Sequence, residues 1–230
     1  MLKSIFTDPR FRKPRIWSNL EIRKIASRLN GEVVNVSGWR DEDKQGGTYR
    51  EHYFSNASKY SITNWKSEAR GFQGDLSNEI FLDLETDVPN ELIGRFDVVF
   101  NHTTLEHVFD VFKAFKALCG MSKDVVIVVV PFIQEQHGEY GDYWRFTPWV
   151  VKRLFELNGM IPAYINFNDS DSTSIYVVGV GAKSKQSFEL LRSIEGNKID
   201  KAESIGLGSR LIYSANPILR LVRICKNFLR

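Results

Sequence analysis

The stretch FDVVFNHTTLEHV, residues 96–108, changes character twice within a few positions. The apolar run at 96–100 is typical of a buried strand, a polar cluster follows at 101–104, and a helical pattern begins at Leu105. In open α/β sheets, ligands bind beyond the carboxyl ends of the parallel strands. We therefore expect Asn101 and His102, at the end of this strand, to border a binding site.

Short apolar runs elsewhere predict six further strands, at residues 32–36, 60–63, 80–82, 125–130, 163–167 and 175–180. Amphipathic patterns predict helices over 17–29, 105–118 and 148–159. Thr147 and Pro148 form a typical helix start. Residues 125–130 contain no polar side chain, which indicates a central strand that we expect to end at Pro131. Gly120 is expected to end the preceding helix.

The alternation of strands and helices predicts an α/β fold with a doubly wound, mostly parallel sheet. The turn between the last two strands is too short for a right-handed parallel crossover, so the last strand is expected to be antiparallel. The chain divides into a basic N-terminal arm at 1–16, one domain at 17–183 and a basic helical extension at 184–230.

Charge is distributed unevenly along the chain, although its net value is only +3. Residues 1–28 carry eight basic side chains against two acids, and residues 196–230 carry seven against two. The central part is therefore acidic. Basic ends around an acidic centre suggest contact with an anionic surface such as a membrane, whereas no nucleic-acid-binding module is recognisable.

The two cysteines, Cys119 and Cys225, lie far apart and have no metal-ligand spacing, which fits a reducing compartment. The N-terminus lacks the apolar core of a signal peptide, and no apolar run approaches the length of a membrane span. The four histidines show no recognisable metal-binding spacing, so no metal site is predicted.

Two strings resemble class I S-adenosylmethionine-dependent methyltransferases. FDVVFNHTTLEHVFDVFKAF, residues 96–115, is similar to the fourth strand and following helix of that family. PFIQEQHGEYGDYWRFTPWVVKRLFELNGM, residues 131–160, resembles the segment after strand five in a branch common among cell-surface polysaccharide enzymes. The resemblance covers residues 30–182 and implies a Rossmann-like methyltransferase fold.

The resemblance also implies a binding site for S-adenosylmethionine at the strand ends. The implied cofactor-binding residues are Ser37, Gly38, Asn64, Asp83, Asn101 and His102. Asn35 and Asn64 stand where the family has acids. Gly38 has a second interpretation as a simple strand-end turn, and Asp83 as part of a solvated acidic loop.

The loop at 137–145 is the segment densest in aromatic and charged side chains, which favours a place at the substrate mouth. If the acceptor is a hydroxyl, His137 or Asp142 is the predicted catalytic base. The predicted substrate-binding residues are His107, Tyr140, Tyr143 and Arg145. Each of these residues also has a purely structural interpretation. Asp142 would be a turn residue that forms an ion pair with Arg145, and His107 would contribute only to packing. Glu106 would only complement the dipole of the following helix.

Residues 209–230 alternate apolar and basic side chains after Pro217, as in an amphipathic helix. This segment predicts either peripheral contact with the inner face of a membrane or packing on the domain or on a second copy of the chain, as in a homodimer. A cytoplasmic location is expected in both cases.

Two functions remain open from the sequence. The first is a methyltransferase that uses S-adenosylmethionine on a small or saccharide acceptor, in surface-polysaccharide biosynthesis. The second is a methyltransferase-like domain that has lost the cofactor and acts as a binding or scaffolding module; the neutral Asn64 favours it.

Overall fold

The computed structural model describes residues 9–66, 71–138, 141–169 and 173–201, together with 207 and 218; for 9–11 it describes the backbone alone. The strands are β1 (Gly31–Val36), β2 (Ala57–Asn64), β3 (Glu79–Phe81), β4 (Phe96–His102), β5 (Ser122–Ile133), β6 (Ile161–Phe167) and β7 (Ile175–Ala182). The α-helices are α1 (Pro9–Ala26), α2 (Tyr49–His52), α3 (Val111–Met121), α4 (Pro148–Leu157) and α5 (Lys185–Arg192). Short 3₁₀ turns lie at Asn90–Leu92, Leu105–His107 and Ile199–Lys201.

The seven strands form one sheet in the order β3-β2-β1-β4-β5-β7-β6. The pairs from β3 to β5 are parallel, while β7 runs antiparallel to both of its neighbours, β5 and β6. The predicted fold class is confirmed, including the antiparallel last strand. The order reverses between β1 and β4, and such a switch point creates a crevice at the carboxyl edge of a parallel sheet.

Each face of the sheet carries its own apolar layer, because successive side chains of a strand point to opposite faces. Val34, Val99 and Val126 pack in the layer that contains Phe115 of α3 and Phe155 of α4. The neighbouring residues Val33, Val98 and Ile127 pack in the other layer, against α1, the α2 region and α5. The central strands are therefore buried on both sides, as their continuous apolar sequence indicates.

Two glycines in β7 allow α4 to lie close to the sheet. A Cβ atom at Gly179 would come within 2.4 Å of Val151 Cγ1, and one at Gly181 within 2.4 Å of Phe155. Both helix side chains are buried. The glycines thus set the approach of the helix that follows the 137–145 loop.

The first helix begins at Pro9, within the predicted basic arm, and ends at Ala26. Pro14 lies inside it but near its start, where loss of a backbone N–H is best tolerated. Ser18 lies inside this helix and does not cap it. Its hydroxyl instead donates to the Arg15 carbonyl at 3.0 Å and lies 2.9 Å from His102 Nε2.

Two other boundaries differ from prediction. Asp110 caps α3 by accepting the Lys113 N–H, so the regular helix starts at Val111, and it runs through Gly120 to Met121. Strand β5 continues beyond Pro131 to Ile133. Pairing with β4 ends at Val129, so Pro131 lies beyond the β4 ladder and its missing N–H costs little there.

The long segment between β1 and β2 packs into the domain. Tyr49, Tyr53 and Phe54 are buried in the layer against α1. Asp41, also buried, accepts hydrogen bonds from Tyr60 Oη at 2.6 Å and Asn35 Nδ2 at 2.7 Å. Tyr49, Tyr53 and Phe54 therefore belong to the core.

Three predicted features fall outside the described residues: Tyr140, most of the N-terminal arm, and the basic segment 209–230 apart from Ile218. Within the part of the chain that is described, no helix has both the length and the apolar character needed to cross a bilayer.

Candidate active site

The turn after β4 meets the loop after β5 at the carboxyl edge of the sheet. Thr103 has a φ of 49°, and its N–H donates to the Val129 carbonyl at 2.8 Å. This sharp turn leads into Leu105–His107, where the backbone carbonyl of Glu106 accepts the Tyr143 N–H at 2.8 Å. The two segments that the resemblance singled out are therefore joined directly.

Glu106 is the most unusual group at this edge. Its side chain is fully buried, and neither carboxyl oxygen has a hydrogen-bond partner among the described residues. Burial raises the pKa of Glu106 to about 8, against smaller opposing effects of its own backbone, Arg15 and Arg145. Burial thus favours the neutral form of the carboxyl group. Buried polar groups are rarely left unpaired, so such a group calls for an explanation.

His107 lies beside this carboxyl group. Its Nδ1 is 2.5 Å from the Gly141 carbonyl oxygen, which fixes Nδ1 as the protonated nitrogen. Its Nε2 is 3.9 Å from Glu106 Oε1. Burial lowers the pKa of His107 and outweighs the opposite effect of the hydrogen bond to Gly141. The ring is therefore a neutral imidazole with its lone pair on Nε2.

His137 packs edge-on to His107, with ring centroids 5.1 Å apart. Its Nδ1 is 3.4 Å from Asp142 Oδ2, and its backbone N–H donates to the same oxygen at 2.8 Å. Asp142 also receives two bonds from Arg145, at 2.5 and 2.7 Å. The hydrogen bonds from Arg145 lower the pKa of Asp142 to about 2, even though its side chain is nearly buried. A carboxylate held in this way is a weak base, so its geometry suits orienting His137.

Arg145 and Tyr143, two of the predicted substrate-binding residues, differ in their surroundings. Arg145 also donates to the carbonyl oxygens of Gln134 at 3.1 Å and Glu135 at 3.1 Å, and so holds the loop together. Tyr143 is 52% exposed and packs edge-on to the exposed Phe109. Tyr143 is thus available to an incoming molecule, whereas Arg145 is engaged within the loop.

The cofactor residues predicted on β4 point to opposite faces, as neighbours on a strand must. Asn101 is fully buried; its Nδ2 donates to the Val36 carbonyl at 3.0 Å, while its Oδ1 has no partner in the described part of the chain. His102 turns instead to α1, where Arg15 lies 2.8 Å from Nδ1 and Ser18 lies 2.9 Å from Nε2. Burial and the nearby Arg15 place the pKa of His102 well below its usual range.

The predicted cofactor residues at the ends of β1 and β2 bond to one another. Asn64 Oδ1 accepts the Trp39 N–H at 2.8 Å, and Asn64 Nδ2 donates to Glu79 Oε1 at 2.6 Å. The N–H groups of Ser37 and Gly38 donate to Thr63, at 3.2 Å to each of its oxygens. A Cβ at Gly38 would clash with Asn35, so close packing within the protein explains this glycine.

Asp83 lies after β3, as predicted, and is partly exposed. Its Oδ1 accepts the Glu85 N–H at 2.9 Å in a local turn. The fit to S-adenosylmethionine therefore differs along the edge. At β4 the structure offers an unused acceptor on Asn101, whereas at β1 and β2 the amide groups are already used by the protein.

Two residues of this region have surroundings that the sequence did not predict. Glu106 was interpreted as a helix-dipole acid, yet it stands within a three-residue 3₁₀ turn and is fully buried. Arg15 was part of the arm, yet its guanidinium donates to Tyr49 Oη at 3.1 Å and to Thr103 Oγ1 at 2.9 Å. The one sequence signal for Glu106 was its position directly before His107. No local signal marked Arg15.

No protein-family profile and no curated protein matches the chain. Solved structures do match. A methyltransferase candidate from Bacillus halodurans aligns with a TM-score of 0.53 at 11% identity, over 74% of this chain and 100% of that one. The N-terminal domain of EvdMO1, determined with S-adenosylhomocysteine and D-fucose, gives 0.52 at 14% identity, over 74% and 83%. At such low identity the likeness concerns the fold alone, and the chain has the Rossmann-like fold of the class I methyltransferases.

Proposed function

We propose that the protein is an S-adenosylmethionine-dependent methyltransferase that acts on a hydroxyl group of a small or saccharide acceptor. The observation that carries the proposal is the buried Glu106 carboxyl group, which lacks a partner among the described residues and lies beside His107 and His137 at the carboxyl edge of a methyltransferase-type sheet. A polar cluster of this kind at the strand ends is where a ligand is expected in such folds.

The end of β4 would hold the cofactor. Asn101 Oδ1 is available as an acceptor, and Asp83 would read the adenine amino group, as the family resemblance implies. When bound, S-adenosylmethionine supplies a methyl group on a sulfonium centre. The chain's own task is then mainly to align the acceptor for an in-line displacement and to keep water out.

The acceptor's proton would leave toward the imidazole pair. His107 Nδ1 is directed to the Gly141 carbonyl, which leaves the lone pair on Nε2, and the Gln134 amide nitrogen lies 3.4 Å from Nε2 of His137, which places a lone pair there as well. Tyr143 and its neighbour Phe109 offer exposed aromatic faces for a sugar ring.

A saccharide acceptor is in keeping with the branch that residues 131–160 resemble and with D-fucose in the EvdMO1 structure. Surface-polysaccharide biosynthesis in the cytoplasm is the process we propose on that resemblance.

A binding module without cofactor is the second candidate, favoured by Asn64. In a typical ribose clamp this position carries an acid with free oxygens. Here Asn64 bridges Trp39 and Glu79. The backbone N–H groups of Ser37 and Gly38 both donate to Thr63 and are therefore already used within the protein.

Calorimetric titration with S-adenosylhomocysteine separates the two functions. We expect binding with a Kd below about 1 mM. Asp83→Ala should weaken binding about tenfold, while Asp87→Ala, an exposed acid of the same loop, should not. Absence of binding heat in the wild-type protein would reject the methyltransferase. If binding occurs, transfer to candidate sugars is followed as a gain of one methyl group by mass spectrometry.

A further inference from the structure

Three potential metal ligands converge at the carboxyl edge, although their sequence spacing shows no metal-binding pattern. Glu106 and His107 come from the turn after β4, and His137 comes from the loop after β5. Each offers one ligand atom, and these atoms all lie within 4.8 Å of one another. Tetrahedral zinc, with bonds of about 2.0–2.1 Å, holds its ligands about 3.3 Å apart. Side-chain adjustments on the order of 1 Å would therefore close this set around an ion.

The state of Glu106 is an independent sign that a cation belongs here. Its side chain is fully buried, and both carboxyl oxygens lack a hydrogen-bond partner within the described ranges. The nearby guanidinium of Arg145 is already paired with Asp142 in two hydrogen bonds. Buried carboxyl groups are normally paired, hydrogen-bonded or bound to metal. Among the described residues Glu106 accepts no side-chain hydrogen bond, and the His107 ring, whose Nε2 lies 3.9 Å from Oε1, is a neutral imidazole.

His107 is held in the manner of a metal ligand, and Nε2 of His137 faces a donor. In metal sites, the ring nitrogen that does not bind the ion donates to a carbonyl or carboxylate oxygen. His107 Nδ1 meets the Gly141 carbonyl at 2.5 Å, whereas the 3.4 Å contact of His137 Nδ1 with Asp142 Oδ2 lacks hydrogen-bond geometry. The Gln134 side-chain amide nitrogen lies 3.4 Å from His137 Nε2, which agrees with a lone pair on that nitrogen. The donor and acceptor geometry thus places a lone pair on Nε2 of each ring, as metal binding needs.

We propose that Glu106, His107 and His137 bind a divalent transition metal ion, with Zn²⁺ as the best-suited ion. Two imidazoles and one carboxylate form a common set for catalytic zinc and for non-haem iron, and they leave coordination positions open. A set with two imidazoles disfavours Mg²⁺ and Ca²⁺, which prefer oxygen ligands. The binding itself is independent of methyl transfer.

The role of the metal would rest on the proposed function. An acceptor hydroxyl bound at an open position would ionise at the metal, and its proton would pass to solvent. The imidazoles would then act as ligands and would not receive that proton. Metal binding and cofactor binding are measured separately, so failure of one does not imply failure of the other.

The test is a titration of metal-depleted, untagged protein with Zn²⁺ in competition with a chromophoric chelator, with Co²⁺ absorption as a second probe. One ion per chain is expected, and Mg²⁺ should not compete. Glu106→Gln and His137→Ala should each weaken Zn²⁺ binding at least tenfold. His52→Ala is the matched control, because His52 pairs with Asp43 in a different loop.

Glu106→Gln keeps the size of the side chain, and it removes no hydrogen bond that the described residues make to Glu106. This variant should therefore keep its melting temperature within a few degrees, so that lost metal binding is not lost folding. The proposal is overturned if wild-type protein binds no Zn²⁺, or if Glu106→Gln and His137→Ala bind it as tightly as His52→Ala does. Equal weakening in all three variants would also overturn it.

Discussion

The side chain of Asn64 and the backbone of Trp39 form a reciprocal pair, in which Asn64 Oδ1 accepts the Trp39 N–H at 2.8 Å and Asn64 Nδ2 donates to the Trp39 carbonyl at 3.1 Å. The same Nδ2 group donates to Glu79 Oε1 at 2.6 Å. This pair fastens the loop after β1 to the end of β2. A neutral amide is needed because only an amide both accepts and donates here.

Asn64→Asp should therefore destabilise the protein. A carboxylate would face the Trp39 carbonyl and the Glu79 carboxylate without a donor, in a buried position. We expect a loss of about 2–4 kcal/mol in the free energy of unfolding, measured by chemical denaturation. Asn78→Asp, at the partly buried turn before β3, is the control and should cost much less. If Asn64→Asp were neutral and tightened S-adenosylhomocysteine binding, Asn64 would be a ribose-binding position instead.

Arg145→Lys should loosen the loop that carries His137. A lysine keeps the charge but cannot make both bonds to Asp142 and also reach the Gln134 carbonyl. We expect a loss of about 1–3 kcal/mol in stability, measured by denaturation. Arg153→Lys is the matched control, because its exposed pair with Glu156 should contribute less than about 0.5 kcal/mol. Equal losses in the two variants would contradict the assigned role.

Gly179→Ala should be destabilising, because the new methyl group would meet Val151 Cγ1 at 2.4 Å in the packed layer between β7 and α4. A loss of about 1–3 kcal/mol is expected in thermal or chemical unfolding. Gly120→Ala should do the opposite. Gly120 lies within α3, and the space that an alanine Cβ would take there is open, so we expect a gain of about 0.5–1 kcal/mol.

Stability should fall in acid partly through Asp124. Burial alone would raise its pKa, but hydrogen bonds from Ser187 and Ser184 outweigh burial and lower the pKa of Asp124 below its ordinary value. A lowered pKa in the folded state stabilises the protein above the unfolded value of about 3.9, and that contribution disappears as pH falls through the folded pKa. Asp124→Asn should reduce the acid dependence of the melting temperature below about pH 5 relative to wild type; an unchanged slope would contradict this.

The basic segment 209–230 is expected to increase binding to anionic vesicles. Sedimentation with vesicles that contain phosphatidylserine should recover more of the full chain than of a chain ending at residue 208, and added salt should reduce the difference. Equal recovery of both chains would reject membrane contact. Neutral vesicles serve as the control.

Much of the fold could be predicted from local patterns. All seven strands and the antiparallel position of β7 follow from apolar runs and loop lengths, because burial on one or both faces leaves a periodic trace in the sequence. Boundaries were less predictable where tertiary contacts decided them. Pro131 stays in β5 because pairing with β4 ends before it. Helix α1 extends back to Pro9, and Arg15 within that extension donates to Thr103 in the turn after β4.

The surroundings of the candidate site residues were predictable only in part. The alternation of side chains along a strand places Asn101 and His102 on opposite faces of the sheet. The orientation of His102 toward the face that carries α1 could therefore be predicted. The partner of each side chain could not. The bonds between Asn64 and Trp39, and between His102 and Arg15, join residues far apart in sequence.

The sequence by itself determined the class of fold and the edge of the sheet where a site would lie, because hydrophobic periodicity and strand ends are local properties. Only the tertiary structure decided that Glu106 is buried beside His107 and His137. Burial and the meeting of residues 106 and 137 depend on how β4 and β5 pair and on how Arg145 holds the loop between β5 and α4. Such contacts between distant residues leave no periodic trace in the sequence.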